Sequence, residues 1–148
     1  MKLLTLKNWF TPRHSSQPIS IPVFLEKVPA GFPSPAESYE DGSISLDEYL
    51  IRHPDATIMI RAGGDSMHDA GIDKNDLLIV DRSLAPRHMD IVLADIGHEF
   101  TIKRLHLNGS MSLHPENKAA KYPVIQPIDG VEWVIVGVVT SVIKQFRS

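Results

Sequence analysis

A serine that follows two glycines is the first candidate for chemistry in this chain. Residues 63–67 read Gly-Gly-Asp-Ser-Met, directly after a β-rich run. Glycines lack a Cβ, so they allow the backbone to turn sharply and to approach another chain closely. Ser66, between Asp65 and Met67, would have backbone N–H groups nearby, as a nucleophile with an oxyanion hole requires. The same residues also form ordinary surface turns, so this pattern alone leaves both interpretations open.

A serine nucleophile needs a base, and a lysine is the better candidate here. Lys103 lies within the strand-like run 99–105, where alternation places it on the same face as Thr101. Burial of a charged lysine is costly and lowers its pKa from about 10.4, and the neutral amine can accept the serine proton. An exposed edge strand is the ordinary alternative for such a lysine. Lys144 lies in a similar run, and strand context alone does not choose between the two lysines.

Histidine is the more common base, and the chain contains seven histidines. A Ser66–His88–Asp90 triad is the histidine alternative, although no histidine has a neighbourhood typical of a catalytic residue. His98 is followed by a glutamate but lacks the second histidine of a His-Glu-x-x-His metal site. Four aspartates between residues 65 and 76 lack the order of a calcium loop. We therefore expect neither a metal nor another cofactor.

Short strand-like runs surround these candidate residues. They occupy residues 56–62, 77–80, 91–94, 99–105, 122–125 and 131–143, with turn residues such as Gly97 and His98 between them. Short strands at this spacing predict an all-β sheet or small barrel. Residues 45–48 have the Ser-x-x-Glu form of a capping box, which predicts a short helix through about Arg52.

The first 40 residues have a different composition, because six of the 11 prolines lie before residue 36. Proline fixes φ and removes a backbone donor, which disfavours a helix or a central strand. We therefore predict an extended, flexible N-terminal arm over residues 1–40 and a mainly β domain over residues 41–148. The apolar run 21–25 favours an arm that docks at least part of the time, and a disordered tail is the alternative.

The overall composition excludes several classes of protein. A chain of 148 residues with 43% hydrophobic and 22% charged residues is typical of one soluble domain. The net charge of −3 argues against a basic face for nucleic acid. The absence of cysteine excludes disulfides, zinc–thiolate sites and cysteine nucleophiles. We find neither an apolar run of about 20 residues, as a membrane helix needs, nor a secretory signal, so we expect a cytoplasmic protein.

Several motifs in order resemble those of UmuD proteins, which belong to the LexA/UmuD-type family of self-cleaving serine peptidases. The similarity runs from about residue 21 nearly to the carboxyl end. The motifs are GFPSPA at 31–36, LIRHPDAT at 50–57, GDSM at 64–67, DLLIVD at 76–81, EFTIKRL at 99–105 and GVVT at 137–140. Together they are far more specific than any one of them.

This resemblance implies a small β-rich catalytic domain of the LexA/UmuD C-terminal type. By motif, the nucleophile falls on Ser66 and the base on Lys103, so the resemblance chooses Lys103 over Lys144. The substrate implied is the chain's own Ala30–Gly31 bond, because residues 28–31 keep the Val-x-Ala-Gly pattern of LexA-type cleavage sites. The best-known UmuD protein has Cys-Gly at this bond, and a small residue still precedes the glycine here.

The resemblance also implies partners. It implies a homodimer whose self-cleavage is accelerated by a RecA–single-stranded DNA filament after DNA damage. The shortened product then acts with a UmuC-like Y-family DNA polymerase in translesion synthesis. An arm of about 30 residues has no room for a winged DNA-binding domain, so we expect no direct sequence-specific DNA binding. A signal-peptidase-like enzyme acting in trans and a non-catalytic binding module are the alternative functions, and the former would be expected to carry a membrane anchor.

Overall fold

The computed structural model describes residues 19–24 and 39–148. Among these, His53–Ser148 lie in one compact unit, and the described part of Arg13–Arg52 belongs to another. The predicted division into an arm over residues 1–40 and a domain over 41–148 stays a prediction. The predicted cleavage site, Ala30 and Gly31, lies outside the described residues.

The described part of the smaller unit contains a two-stranded antiparallel sheet and one short helix. Strand β1 (Ser20–Phe24) pairs with β2 (Tyr39–Ser45), and helix α1 (Leu46–Leu50) follows at once. The apolar run near residue 21 therefore forms a strand, and its proline is tolerated because both strands of a two-stranded sheet are edges. The predicted helix is present, but the Ser45 hydroxyl donates to the Asp47 carboxylate and accepts no backbone N–H of the first turn, so the expected capping box does not form.

The larger unit is a six-stranded antiparallel sheet, which confirms the predicted mainly β fold. Its spatial order is β3-β4-β8-β5-β6-β7. The strands are β3 (Thr57–Arg61), β4 (Leu77–Asp81), β5 (Ile91–Ile96), β6 (Glu99–His106), β7 (Ser112–His114) and β8 (Trp133–Ile143). Strand β8 lies at the centre because it pairs with both β4 and β5.

Five of the six predicted strand-like runs coincide with strands of this sheet. The sixth, residues 122–125, contributes only an isolated bridge between Leu113 and Ile125. Strand β7 was not predicted, since three residues are too few to show a period of two. The predicted turn at Gly97 and His98 joins β5 to β6, and both residues have positive φ there.

Two features of this sheet bear on the candidate site. In β6, Lys103 pairs in register with Val92 of β5, a fully buried residue, and Lys103 is itself buried, so it is not the exposed edge-strand lysine of the ordinary alternative. A separate cluster of buried side chains, Ala62, Met67, Ile72 and Leu78, lies under the loop that follows β3. This loop carries Ser66, so its backbone is anchored to the core next to the serine.

Candidate active site

The loop that carries Ser66 begins where β3 leaves the sheet. The N–H of Ala62 donates to Asp76 O at 2.9 Å, and Ala62 O accepts from the N–H of Asn75 at 2.8 Å. One residue beyond Ser66, Met67 is only 2% exposed and packs into the core. The serine is therefore held between a backbone pairing on one side and a buried side chain on the other.

The two glycines before Ser66 have a different role from the one that the sequence suggested. The glycines with positive φ in the described chain do not include Gly63 or Gly64, so neither needs the left-handed conformation. A Cβ added at either position would meet no atom within 4 Å. Both glycines line a cleft, and their lack of a side chain leaves the backbone beside Ser66 open to an incoming chain.

The structure brings Ser66 and Lys103 together across 37 residues of sequence. Lys103 Nζ lies 2.9 Å from Ser66 Oγ. The same nitrogen also contacts Thr101 Oγ1 at 2.7 Å and the Ile102 carbonyl oxygen at 3.1 Å. All three neighbours of the amine are uncharged oxygens. Thr101 lies on the same face of β6 as Lys103, as the alternation predicted.

Burial controls the protonation of this lysine. Lys103 is 8% exposed. Desolvation lowers the pKa of Lys103, because the charged form loses water without gaining a carboxylate partner among the described residues. The amine is therefore more readily neutral than that of a surface lysine, and a neutral amine can accept the proton of a serine hydroxyl.

Lys144, the other lysine in a strand-like setting, has the opposite environment. It donates to Asp73 Oδ2 at 2.8 Å and also to the Asp76 carboxylate. The hydrogen bonds that Lys144 donates to these two carboxylates raise the pKa of Lys144. A lysine held in its charged form cannot accept a proton, so the structure separates two lysines that strand context left equivalent.

The histidine alternative is not assembled. Nδ1 of His88 accepts the N–H of Leu107 at 3.0 Å, and Asp90 accepts the N–H of Arg87 at 2.8 Å. Neither His88 nor Asp90 is a hydrogen-bond partner of Ser66 in the described chain. The ring of His88 lies against that of His106, with centroids 5.5 Å apart.

The aspartates near Ser66 stabilise the loops around it. Asp69 accepts from the N–H of Lys118 at 2.6 Å, and Asp76 accepts from the N–H of Asp73 at 2.7 Å. The Asp65 carboxylate accepts from the hydroxyl of Tyr122. Across residues 19–24 and 39–148, no group of three or more histidine, cysteine or acidic side chains has the arrangement of a metal site.

Backbone donors are also present at the serine. In residues 53–148, no acceptor is paired with the amide N–H of Asp65, Ser66 or Met67. Amide groups left open at a nucleophile can bind the negative oxygen that develops when a carbonyl is attacked. The sequence pointed to this turn, and no acceptor within residues 53–148 occupies its three amide donors.

A cleft beside Ser66 and Lys103 is large enough for a segment of polypeptide. Its volume is about 570 Å³, and its walls are mostly apolar. The strand β3 is an edge of the sheet and contributes Met59 and Ile60 to this cleft, while β6 contributes Phe100 and Ile102. The cleft therefore offers apolar contacts on both sides of the Ser66–Lys103 pair.

Sequence reasoning missed the segment at Glu116 and Asn117, which holds the Ser66 loop through hydrogen bonds. The N–H of Glu116 donates to Ser66 O at 2.7 Å, and Glu116 O accepts from the N–H of Asp69 at 2.8 Å. The side-chain amide of Asn117 donates to Asp65 O at 2.8 Å. These contacts join positions about 50 residues apart, so a local pattern contains no signal for them.

Comparison with known proteins places this chain in a family. Residues 22–140 match the family described as Peptidase S24-like. The chain is 46% identical over 127 residues to Protein SamA of Salmonella typhimurium, a match that covers 86% of this chain and 87% of SamA. It is 46% identical over 131 residues to Protein MucA of Escherichia coli, covering 88% of this chain and 89% of MucA.

A more distant relative is the LexA repressor of Idiomarina loihiensis, which is 35% identical over 121 residues. That match covers 79% of this chain and 58% of the repressor. In the described part of the chain, none of the helices has the length and apolar character needed to cross a membrane. The chain thus belongs to the Peptidase S24-like family and is a UmuD-like, self-cleaving serine peptidase of the SOS response.

Proposed function

We propose that Ser66 is the nucleophile, that Lys103 is its general base, and that the substrate is the Ala30–Gly31 bond of the chain itself. The 2.9 Å contact between Lys103 Nζ and Ser66 Oγ carries this proposal. Burial lowers the pKa of Lys103, and this supports the proposal because the base must be neutral before it can act.

Lys103 Nζ has three oxygen neighbours, which suit the three N–H donors of the ammonium form, and the neutral form that the reaction needs can occupy the same position. A neutral amine has two N–H donors and one lone pair. Thr101 Oγ1 and the Ile102 carbonyl oxygen accept the two N–H bonds, at 2.7 and 3.1 Å. The lone pair then remains for the hydroxyl proton of Ser66, so both neighbours orient the base as well as contact it.

The reaction follows from this arrangement. Ser66 Oγ attacks the carbonyl carbon of Ala30 while its proton passes to Lys103 Nζ. The open amide groups of Asp65, Ser66 and Met67 stabilise the carbonyl oxygen as it becomes negative. When the C–N bond breaks, Lys103 gives the proton to the nitrogen of Gly31. Water activated by the same amine then hydrolyses the acyl-serine, which restores the hydroxyl and releases the carboxylate of Ala30.

The same proposal covers regulation and partners. In this proposal, residues 1–40 form the arm that delivers the bond to the cleft, and residues 41–148 form the catalytic domain. In one conformation of the arm, the Ala30–Gly31 bond lies at Ser66. A RecA–single-stranded DNA filament that binds this conformation more tightly than the others would raise its population, and the rate of cleavage would rise in proportion. The shortened chain acts in the cytoplasm as a homodimer with a UmuC-like Y-family polymerase in translesion synthesis. Membership of the family supports this set of partners.

Incubation of the pure full-length chain at alkaline pH, followed by mass spectrometry, tests the proposal. We expect two products, residues 1–30 and residues 31–148. Ser66→Ala, which removes one hydroxyl, should yield neither product, and its thermal unfolding should match that of the unsubstituted chain. Cleavage in Ser66→Ala would overturn the nucleophile assignment, and a cut at another bond would overturn the substrate assignment. An intact chain at every pH would favour the non-catalytic binding module.

A further inference from the structure

The residue after Lys103 forms an ion pair with the segment that holds the Ser66 loop. Arg104 Nε lies 2.6 Å from one carboxylate oxygen of Glu116, and the terminal nitrogen of Arg104 lies 3.0 Å from the other. A second terminal nitrogen donates to Met89 O at 2.9 Å. The carboxylate is therefore bound at both oxygens, which fixes its direction as well as its distance.

Glu116 contacts the Ser66 loop through its backbone while its side chain contacts Arg104. Its N–H donates to Ser66 O at 2.7 Å, and its carbonyl accepts from the N–H of Asp69 at 2.8 Å. The backbone of Ser66 is therefore bonded directly to the residue whose carboxylate is bound by Arg104. Consecutive residues of a strand project to opposite faces, so Arg104 can make this contact while Lys103 faces the cleft.

These contacts form a closed path between the base and the nucleophile. The path runs from Lys103 along one peptide bond to Arg104, across the ion pair to Glu116, and across one hydrogen bond to Ser66. The direct contact between Nζ and Oγ closes it. The side chains of Arg104 and Glu116 are 22% and 30% exposed, so solvent screens this pair less than it screens a fully exposed pair.

We propose that Arg104 and Glu116 are positioning residues that set the distance between Ser66 Oγ and Lys103 Nζ. The inference rests on the proposed roles of Ser66 and Lys103. Neither side chain touches the reacting atoms. Without the ion pair, the segment at Glu116 loses the side-chain contact that fixes it relative to β6, so the position of Ser66 relative to Lys103 is less tightly held. A misplacement of about 1 Å can lower a rate by about 100-fold, because proton transfer and attack both depend on close alignment.

Self-cleavage of the full-length chain measures this effect. Arg104→Gln and Glu116→Gln should each cut about 10- to 100-fold more slowly than the unsubstituted chain at temperatures where both are fully folded. The pH at which the rate is half-maximal should stay the same, because Lys103 keeps its burial. Lys121→Gln, which removes an exposed charge from the same segment, should cut at the unsubstituted rate.

An exchange of the two charges separates positioning from general destabilisation. The double variant Arg104→Glu with Glu116→Arg should recover most of the rate, because the ion pair forms again in reverse. If Arg104→Gln does not fold, Arg104→Lys replaces it in the test. That variant keeps the charge but loses the two-point contact, so its rate should lie between those of the unsubstituted chain and Glu116→Gln.

Three results would overturn the inference. In the first, the single variants cut at the unsubstituted rate. In the second, the loss of rate is no larger than the loss of folded protein. In the third, the half-maximal pH shifts, which would mean that the ion pair acts on the protonation of Lys103. Each of these outcomes leaves Ser66→Ala inactive. Cleavage in Ser66→Ala would instead refute the proposed function, so the two failures are distinguishable.

Discussion

Lys103 Nζ lies 2.9 Å from Ser66 Oγ, and the other contacts of this amine are a threonine hydroxyl and a backbone carbonyl. This differs from the environment of Lys144, which binds two carboxylates. Burial without an anionic partner lowers the pKa of the first lysine, whereas ion pairing raises that of the second. The chemistry expected of each lysine follows from this contrast.

Lys103→Ala should abolish self-cleavage, because no other described group accepts the Ser66 proton at hydrogen-bond distance. Lys144→Ala should still cut, since Lys144 contacts Asp73 and Asp76 and does not contact Ser66. Gel analysis of both variants with a RecA filament, beside the unsubstituted chain, measures the difference. Equal activity of the two variants would contradict the assignment of the base.

The rate of uncatalysed self-cleavage should rise with pH and then level off. The rate follows the fraction of Lys103 that is neutral, and burial lowers the pKa of Lys103. The half-maximal rate should therefore fall below pH 10.4, the approximate pKa of an exposed lysine. Mass spectrometric rates across a pH series measure the midpoint. A maximum near pH 6 followed by a decline would indicate a histidine or carboxylate mechanism instead.

Lys103→Met should stabilise the fold at neutral pH while it abolishes cleavage. The folded state lowers the pKa of Lys103, so between the folded and unfolded pKa values the unfolded chain binds more protons. The stability of the unsubstituted chain therefore rises with pH across this window. A neutral side chain of similar length avoids the cost of a buried charge, and we expect a gain of about 0.5–2 kcal/mol in the free energy of unfolding.

Urea denaturation at several pH values measures that gain. The difference between Lys103→Met and the unsubstituted chain should be largest at neutral pH and should shrink as pH rises. Lys144→Met serves as the control, and it should lose stability because it removes the cation that two carboxylates share. A loss of stability in Lys103→Met at neutral pH would contradict the assignment of Lys103 as a buried amine without a carboxylate partner.

Gly31→Glu should block cleavage at Ala30–Gly31 without unfolding the domain. A glycine permits the backbone to bend close to Ser66, and a larger charged residue would have to enter a cleft with mostly apolar walls. Thermal unfolding of the variant should match that of the unsubstituted chain, and the uncut protein should fail to support lesion bypass. Normal cutting after residue 30 would show that the substrate bond was placed wrongly.

Local pattern was sufficient for most strands of the larger sheet. The apolar runs that became β4 and β5 are bounded by turn residues, and their backbones have few alternatives once buried. The alternation in β6 also placed Lys103 and Thr101 on one face, where both contact each other. These features depend on neighbours within a few residues, so the sequence by itself determined them.

The tertiary structure alone decided which groups surround each lysine and what holds Ser66 in place. The carboxylates that bind Lys144 are 68 and 71 residues away in sequence, and Ser66 is 37 residues from Lys103. The hydrogen bond from Glu116 to Ser66 likewise joins distant segments. The pKa of an amine depends on the burial and charge around it, and both arise when the strands pack together. A local sequence pattern could therefore propose Lys103 as a candidate base. A physical reason to prefer Lys103 over Lys144 required the folded sheet.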